Sequence, residues 1–152
     1  MDMRAKTALF ALVLSLGSSP VFADLEIYKD YDVSDSFWSL QTVKVKSNMI
    51  DAYLEGLKKT WMSGCAVSKS LGQIEGCKIF VSDLPDSGDF NVVLVTIFKN
   101  DEMAAPNKAR YDAFVAKFGA AQQKATTEQA QRDYPAMREI TGDYRLREIT
   151  LK

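Results

Sequence analysis

The sequence predicts an α+β domain in which a four-stranded antiparallel sheet carries two helices on one face. The segment from Phe90 to Phe98 is apolar at both alternate sets of positions, which is typical of a central strand buried on both faces of a sheet. Residues 49–70 instead carry apolar side chains at helical spacing. The predicted elements follow the order strand, helix, strand, turn, strand, helix, strand, and this order indicates the α+β class.

The first predicted strand covers residues 37–46. Trp38 and Leu40 fall on one face of this strand, whereas Val43 and Val45 fall on the other. This change of phase predicts either a bulge near Gln41 or burial on both faces.

The first predicted helix covers residues 49–70. Asn48 is expected to cap its N-terminus, with Asp51 three residues later as a variant capping box. Gly72 is expected to end it. The apolar stripe of this helix consists of Ile50, Leu54, Leu57, Trp61 and Cys65.

The second half of the domain begins with a hairpin. A strand within residues 74–84 and the turn cluster at 85–88 lead into the central strand. A second helix is predicted to start near Asn107, to kink at Gly119 and to end at Pro135. Its part from residue 120 to 133 is polar and is expected to be solvated. The last strand is predicted over residues 143–151.

Residues 1–23 have the pattern of a secretory signal peptide. Arg4 and Lys6 precede a short apolar run, and Val21-Phe22-Ala23 resembles a cleavage site. The run is too short for a membrane span, which takes about 20 apolar residues. We expect a periplasmic or secreted chain that starts near Asp24, with an N-terminal arm at 24–36, a single domain at 37–152 and no membrane span.

Composition argues against several classes of function. The net charge is −1 without a basic block, so no nucleic-acid partner is expected. The sequence contains no histidine, which excludes a histidine-based triad and a histidine-ligated metal. It also lacks a phosphate-binding glycine loop and the motifs G-x-S-x-G and C-x-x-C. No metal site is therefore expected.

Cys65 and Cys77 are predicted to form a disulfide. Two cysteines in a small exported domain favour a bond, and a turn around Gly72 brings the end of the first helix close to the next strand. The alternative is two separate buried thiols.

The order of these elements resembles the ferredoxin-like fold, a βαββαβ sandwich. From Trp38 to Lys152 the chain resembles the dimeric α+β barrel superfamily and is similar to exported bacterial proteins. The resemblance implies a homodimer in which a second subunit covers the sheet face that lacks helices; the alternative is that the arm covers it. The superfamily includes cofactor-free monooxygenases, isomerases, binding modules and haem enzymes. Because the haem members use a histidine ligand, no cofactor is expected here.

Four residues are candidates for a ligand pocket. Trp61 and Tyr111, on the apolar stripes of the two helices, are suited to the wall of a pocket, although such aromatics often belong to the core. Asn91 interrupts the central strand and binds either backbone or a ligand. Arg147 on the last strand binds an anion if its face lines a cavity, and otherwise protects the strand from edge pairing.

Three functions are compatible with these features. The preferred hypothesis is a non-catalytic domain that binds a small apolar or weakly acidic molecule. The alternatives are a cofactor-independent monooxygenase or isomerase, and an interaction subunit of the cell envelope. A closed and fully packed cleft would favour the interaction subunit.

Overall fold

The computed structural model describes residues 24–84 and 88–152. Four strands form one antiparallel sheet in the order β2-β3-β1-β4. The strands are β1 (Tyr31–Val45), β2 (Gly76–Val81), β3 (Val92–Phe98) and β4 (Arg138–Leu151). The helices are α1 (Ile50–Lys59), α2 (Trp61–Ser70), α3 (Asp101–Ala104), α4 (Lys108–Phe118) and α5 (Ala120–Met137). This strand order, with β3 and β1 in the middle, confirms the predicted ferredoxin-like fold.

The hydrophobic core lies between one face of the sheet and helices α1 and α5. Every residue of the central cluster is at most 6% exposed. The sheet contributes Val43, Val45, Val92 and Leu94, and the helices contribute Tyr53, Leu57 and Tyr134. Side chains alternate between the faces of a strand, so Val43 and Val45 share the helix-facing side of β1 while Trp38 and Leu40 lie on the outer face.

Strand β3 has buried residues on both of its faces, as predicted. Val92 and Leu94 contribute to the core under the helices, while Val95 points to the opposite face and is only 1% exposed. The turn that was predicted to connect β2 to this strand falls mainly on residues 85–87, which lie outside the described residues. The antiparallel pairing of Gly76–Val81 with Val92–Ile97 confirms the hairpin.

The irregularity predicted for the first strand occurs in its pairing with β4. The β1–β3 register runs without a shift, whereas the β1–β4 register shifts between Val33 and Phe37, ahead of the predicted strand, and again between Thr42 and Val43. Gly142 pairs with Thr42 and Ile140 with Val43, so the extra residue is Thr141 on β4. Its Oγ1 donates to Thr42 Oγ1 at 2.9 Å. The bulge thus belongs to the edge strand, and the change of phase in β1 reflects apolar side chains on both faces.

The helix predicted over residues 49–70 is divided in two. Thr60, with φ −103° and ψ −82°, interrupts the helical backbone between α1 and α2. The predicted cap was wrong: Met49 occupies the N-cap position without a side-chain hydrogen bond, and Asn48 has a left-handed φ of 63°. Asn48 therefore forms the turn that leads into α1. Gly72, with φ 69°, ends α2 as predicted.

The second helical segment continues beyond its predicted end. Asn107 caps α4 by accepting a hydrogen bond from the Arg110 N–H at 3.0 Å, and Gly119, with φ 90°, separates α4 from α5. Pro135 does not end α5, which continues to Met137. A proline this close to the C-terminus removes one helical hydrogen bond while the helix remains packed on α1 through buried Tyr134.

Two of the strands are longer than predicted. β4 begins at Arg138, directly after α5, and not at Asp143. β1 begins at Tyr31, inside the segment predicted as an arm, because Tyr31 and Val33 pair with Leu151 and Ile149. No helix in the described ranges is long and apolar enough to cross a bilayer.

The predicted disulfide is present. Cys65 on α2 is bonded to Cys77 on β2, with their Cα atoms 6.2 Å apart. Since none of the residues of α2 is fully buried, this bond is a principal attachment of the helix to the sheet.

The outer face of the sheet is apolar and open. Four large side chains on it remain 40–52% exposed: Trp38, Phe80, Tyr144 and Leu146. The described part of the predicted arm, residues 24–36, leaves these side chains uncovered. Lys78 lies above the Trp38 ring, 5.2 Å from its centroid, on this same face.

Candidate functional site

A cleft of about 950 Å³ lies between the helices and the sheet. The cleft exists because the helix-facing residues of the sheet change from apolar to polar along the strands. At one end Val43 and Val45 fill the space beneath α1, whereas further along the same face of β1 the positions are occupied by Ser39 and Gln41. Thr96 on β3 adds a third polar side chain to this floor. These residues leave a gap that the core does not fill, and the gap is open to solvent.

The opposite wall of the cleft is aromatic. Trp61 on α2 lines it together with Tyr111, Phe114 and Phe118 on α4. The rings of Phe114 and Phe118 lie 5.2 Å apart. Trp61 and Tyr111, both predicted as pocket residues, therefore lie in one cleft, and Tyr111 is 58% exposed at its surface.

Asn91 lies outside the lining of this cleft. Its Oδ1 accepts a hydrogen bond from the Val45 N–H, and its Nδ2 donates to the Val45 carbonyl, both at 2.8 Å. The Asn91 amide thus completes the pairing of β1 just before β3 begins. Both polar atoms of this buried side chain bond to backbone, so Asn91 acts in the pairing of the sheet and not in the cleft.

Arg147 also lies outside the lining. Its Nη1 donates to the carbonyls of Ser34 and Asp35, and its Nη2 pairs with the Asp101 carboxylate. Arg145 pairs with the same carboxylate. These contacts attach α3 to β4, and α3 in turn contributes Met103 to the lining of the cleft.

The inner end of the cleft contains a chain of hydroxyl groups. Thr60 Oγ1 donates to the Gly56 carbonyl at 3.0 Å and lies 2.5 Å from the Tyr134 hydroxyl. A threonine hydroxyl has one proton, so the Tyr134 hydroxyl is the donor to Thr60. This places α5 directly on the break between α1 and α2. The Tyr134 and Tyr53 rings meet edge to face, with centroids 5.2 Å apart.

Arg138 lies beside both tyrosine rings. Its Cζ is 5.9 Å from the Tyr53 centroid and 5.6 Å from the Tyr134 centroid. Arg138 lies close enough to the Tyr53 hydroxyl for hydrogen bonding between them to oppose the rise in that hydroxyl's pKa. Within the described residues, however, neither Arg138 Nε nor the Tyr53 hydroxyl has a partner at good hydrogen-bond geometry, and both atoms are buried. Both residues line the cleft. Buried polar groups in proteins are almost always hydrogen-bonded, so the two groups together mark this end of the cleft as unusual.

The ionisation of the two tyrosines follows from their burial. Burial raises the pKa of Tyr53 above its ordinary value of 10.0, and the nearby Arg138 charge opposes that rise. Burial also raises the pKa of Tyr134, against the hydrogen bond with Thr60. Both hydroxyls are therefore protonated at neutral pH and can act as donors.

Sequence reasoning did not single out Tyr53, Tyr134 or Arg138. Tyr53 lies four residues before Leu57 on the apolar stripe of the first helix, so its burial was detectable. Tyr134 and Arg138 lie on either side of Pro135, where the helix was expected to end. Because Arg138 was placed outside the helix, the two residues, four apart, were not considered together. In the described parts of the chain, no three metal-ligating side chains lie together.

No known protein-family model matches the chain, and no curated protein matches it. HapK from Hahella chejuensis is a similar solved structure, 13% identical with a TM-score of 0.44, covering 74% of this chain and 91% of that one. A dimeric ferredoxin-like protein of unknown function from Bacteroides fragilis is 10% identical with a TM-score of 0.39, covering 80% of this chain and 100% of that one. A nipsnap family protein with unknown function from Agrobacterium tumefaciens is 19% identical with a TM-score of 0.39, covering 77% and 89%. With TM-scores below 0.5, these likenesses contribute nothing to the functional conclusion, and the strand order alone defines the fold.

Proposed function

We propose that this protein is an exported, non-catalytic domain that binds a small apolar or weakly acidic molecule in the cleft between its helices and its sheet. The open cleft of about 950 Å³ with its aromatic wall is the observation on which the proposal rests. Small-molecule sites typically enclose roughly 300–1,000 Å³ and combine apolar walls with a few polar groups. The cleft has both features.

The open cleft also helps to decide between a ligand-binding domain and an interaction subunit of the envelope. A domain that acted only through its surface would gain stability by packing this space with side chains. Ser39, Gln41 and Thr96 on the floor instead keep it free. This favours a ligand-binding domain over an interaction subunit of the envelope.

Export is part of the same proposal. The pattern of residues 1–23 supports it, and the Cys65–Cys77 disulfide suits an oxidising compartment. N-terminal sequencing of protein from the periplasm or the medium should begin within about two residues of Asp24, given the cleavage-site pattern. Soluble cytoplasmic protein that retains Met1 would contradict export.

Two measurements test binding in the cleft. Native mass spectrometry of protein purified from its own compartment should reveal a bound small molecule. Calorimetric titration with 2-naphthamide, a neutral flat probe, should show saturable binding. Trp61→Leu should weaken this binding, because Trp61 lines the cleft. Trp38→Leu is the matched control: it removes the same ring from the outer face, and affinity should stay unchanged. Failure of the wild-type protein to bind would refute the proposal.

We also propose that a second copy of the chain covers the outer face of the sheet. The large apolar side chains exposed there come from strands β1, β2 and β4, so the open surface extends across the width of the sheet. Patches of this kind on soluble proteins usually mark interfaces. Light scattering should give the mass of a dimer at tens of micromolar, a concentration at which standard interfaces are occupied.

Two substitutions distinguish a specific dimer interface from non-specific association. Leu146→Asp should produce a monomer, because it places a carboxylate in an apolar contact. Leu84→Asp, at a residue just beyond β2 that is 69% exposed, should leave the dimer intact. A monomeric wild-type protein would show that the outer face functions without a second copy.

A further inference from the structure

We propose that the Tyr53 hydroxyl and the Arg138 guanidinium together bind an anionic oxygen of the ligand, so that the molecule held in the cleft is an apolar acid. The inference rests on the proposed function of the cleft and specifies the class of its ligand. A carboxylate is the group that matches the two donors best.

Two hydrogen-bond donors at the inner end of the cleft have no acceptor among the described residues. The Tyr134 hydroxyl donates to Thr60, and Thr60 donates to the Gly56 carbonyl, so these protons are in use. The Tyr53 O–H and the Arg138 Nε–H have no acceptor within residues 24–84 and 88–152. A single acceptor group of a ligand at this end of the cleft would satisfy both donors. A carboxylate has two oxygens and can accept from both.

The charge of Arg138 also favours an anion at this end of the cleft. Arg138 forms no ion pair with any described residue, although it is partly buried. The other arginine that lines the cleft, Arg110, donates to the carbonyls of Glu102 and Ala105. A partly buried cation without a counter-ion attracts an anion, so an anion is favoured at Arg138.

Asp143 does not supply the missing charge. It also lines the cleft, but it accepts a hydrogen bond from Gln41 Nε2 at 3.0 Å and is exposed to solvent. Asp143 pairs with Gln41 and Arg138 pairs with Val45, four residues further along β1, which corresponds to about 13 Å of strand. The charge of Asp143 is screened by water at that distance, and the inner end of the cleft remains positive.

Little rearrangement is needed to form the site, because the guanidinium already lies near two tyrosine rings and the Tyr53 ring is held by packing. Because both donor atoms are covered in this structure, a small side-chain movement opens the site before a ligand oxygen reaches them. With the acid held there, the apolar body of the ligand reaches Trp61 and Phe114 on the wall. This arrangement selects a flat or aliphatic molecule with an acidic group at one end.

The experiment compares 2-naphthoate with 2-naphthamide, two probes of similar shape that differ in charge, by calorimetric titration near neutral pH. Wild-type protein should bind 2-naphthoate at least about tenfold more tightly, the value expected of hydrogen bonds to a charged group. Arg138→Gln should remove this preference while leaving the affinity for 2-naphthamide within about twofold. Tyr53→Phe, which removes only the hydroxyl, should lower the affinity for 2-naphthoate by about threefold to tenfold.

Arg132→Gln is the matched control, since Arg132 is exposed and pairs with Asp133 outside the lining. It should leave the affinities for both probes unchanged. Circular dichroism of each variant checks that the fold is retained, and Tyr53→Phe provides the test if Arg138→Gln does not fold. Equal binding of both probes by the wild type, or an unchanged preference in Arg138→Gln, would overturn the anion site while binding in the cleft stands. Binding of neither probe would overturn the proposed function and the inference together.

Discussion

The Tyr134 hydroxyl lies 2.5 Å from Thr60 Oγ1, and this hydrogen bond joins the end of α5 to the break between α1 and α2. The contact is buried, and the two residues are 74 positions apart in the sequence. It therefore connects the two helical segments that cover the sheet. The same contact forms one side of the inner end of the cleft, so the stability of the domain and the shape of the site depend on shared residues.

Tyr134→Phe should lower the free energy of unfolding by about 1 kcal/mol, the usual value for a neutral hydrogen bond. Thr60 keeps its bond to the Gly56 carbonyl, and the ring of residue 134 keeps its packing on Tyr53, so the loss should not be larger. Urea denaturation measures it. Tyr111→Phe, at an exposed position, is the control and should have no effect. An equal loss in both variants would contradict a stabilising role for the Thr60 contact.

Gly56→Ala should destabilise the domain although alanine favours helix. A Cβ at position 56 would lie 2.9 Å from Tyr134 Cε1, and overpacking of this kind costs about 1–3 kcal/mol. Alanine is about 1 kcal/mol more favourable than glycine in a helix, so the free energy of unfolding should fall by a net amount of about 1 kcal/mol. At Gly64 on α2 the nearest atom to a new Cβ is 3.7 Å away on Phe114, an ordinary contact, so Gly64→Ala should stabilise. In a Tyr134→Ala background Gly56→Ala should also become stabilising. A loss that persists there would show that the obstruction is not Tyr134.

Asn91→Ala should cost about 2–4 kcal/mol, because it leaves the buried N–H and C=O of Val45 without partners. Asn107→Ala, which removes only an exposed helix cap, should cost about 1 kcal/mol. Chemical denaturation of the two variants gives the comparison. Similar losses would mean that the Asn91 amide is replaced by water. Ligand affinity in Asn91→Ala should remain that of the wild type, since Asn91 lies outside the cleft.

Stability should fall as the pH rises above about 10, because burial raises the pKa of Tyr53 above its ordinary value of 10.0. The unfolded chain loses this proton first and binds fewer protons than the folded chain, so stability is complete below pH 10.0 and is lost progressively above it. Tyr53→Phe should make the alkaline loss less steep, as measured by urea midpoints between pH 8 and 11. An unchanged slope would show that Tyr53 ionises in the folded state as readily as in the unfolded state.

The sequence was sufficient to predict the strand order and the position of Trp61 over the sheet. The doubly apolar segment around Val92 and Val95 marked a central strand, and the helical stripe through Trp61 placed that residue over the sheet. Both features follow from periodicity, which is a local property. The inner end of the cleft could not be predicted in this way, because Tyr53, Tyr134 and Arg138 come together only through the packing of α5 on α1.

Asn91 and Arg147 were predicted as ligand residues, but both lie outside the lining of the cleft. Each is a polar residue in an apolar or terminal strand, a pattern that a ligand site and a backbone contact produce equally well. The choice depends on which backbone atoms lie opposite: for Asn91 these are the N–H and C=O of Val45, and for Arg147 the carbonyls of Ser34 and Asp35. Such partners are distant in sequence and are set by register. A residue-by-residue pattern therefore contains no information about them.

The last prediction concerns the disulfide between Cys65 and Cys77. Its removal by the paired changes Cys65→Ser and Cys77→Ser should lower the free energy of unfolding by about 3 kcal/mol, the value expected of a short closed loop. The effect should be concentrated in α2, since none of its residues is fully buried and the bond attaches it to β2. Hydrogen exchange should therefore accelerate in residues 61–70 more than in α1, which contains the buried Tyr53 and Leu57. Because Trp61 and Cys65 line the cleft, the affinity for 2-naphthamide should fall in the same variant. Unchanged exchange in α2 would show that packing on α4 holds this helix without the bond.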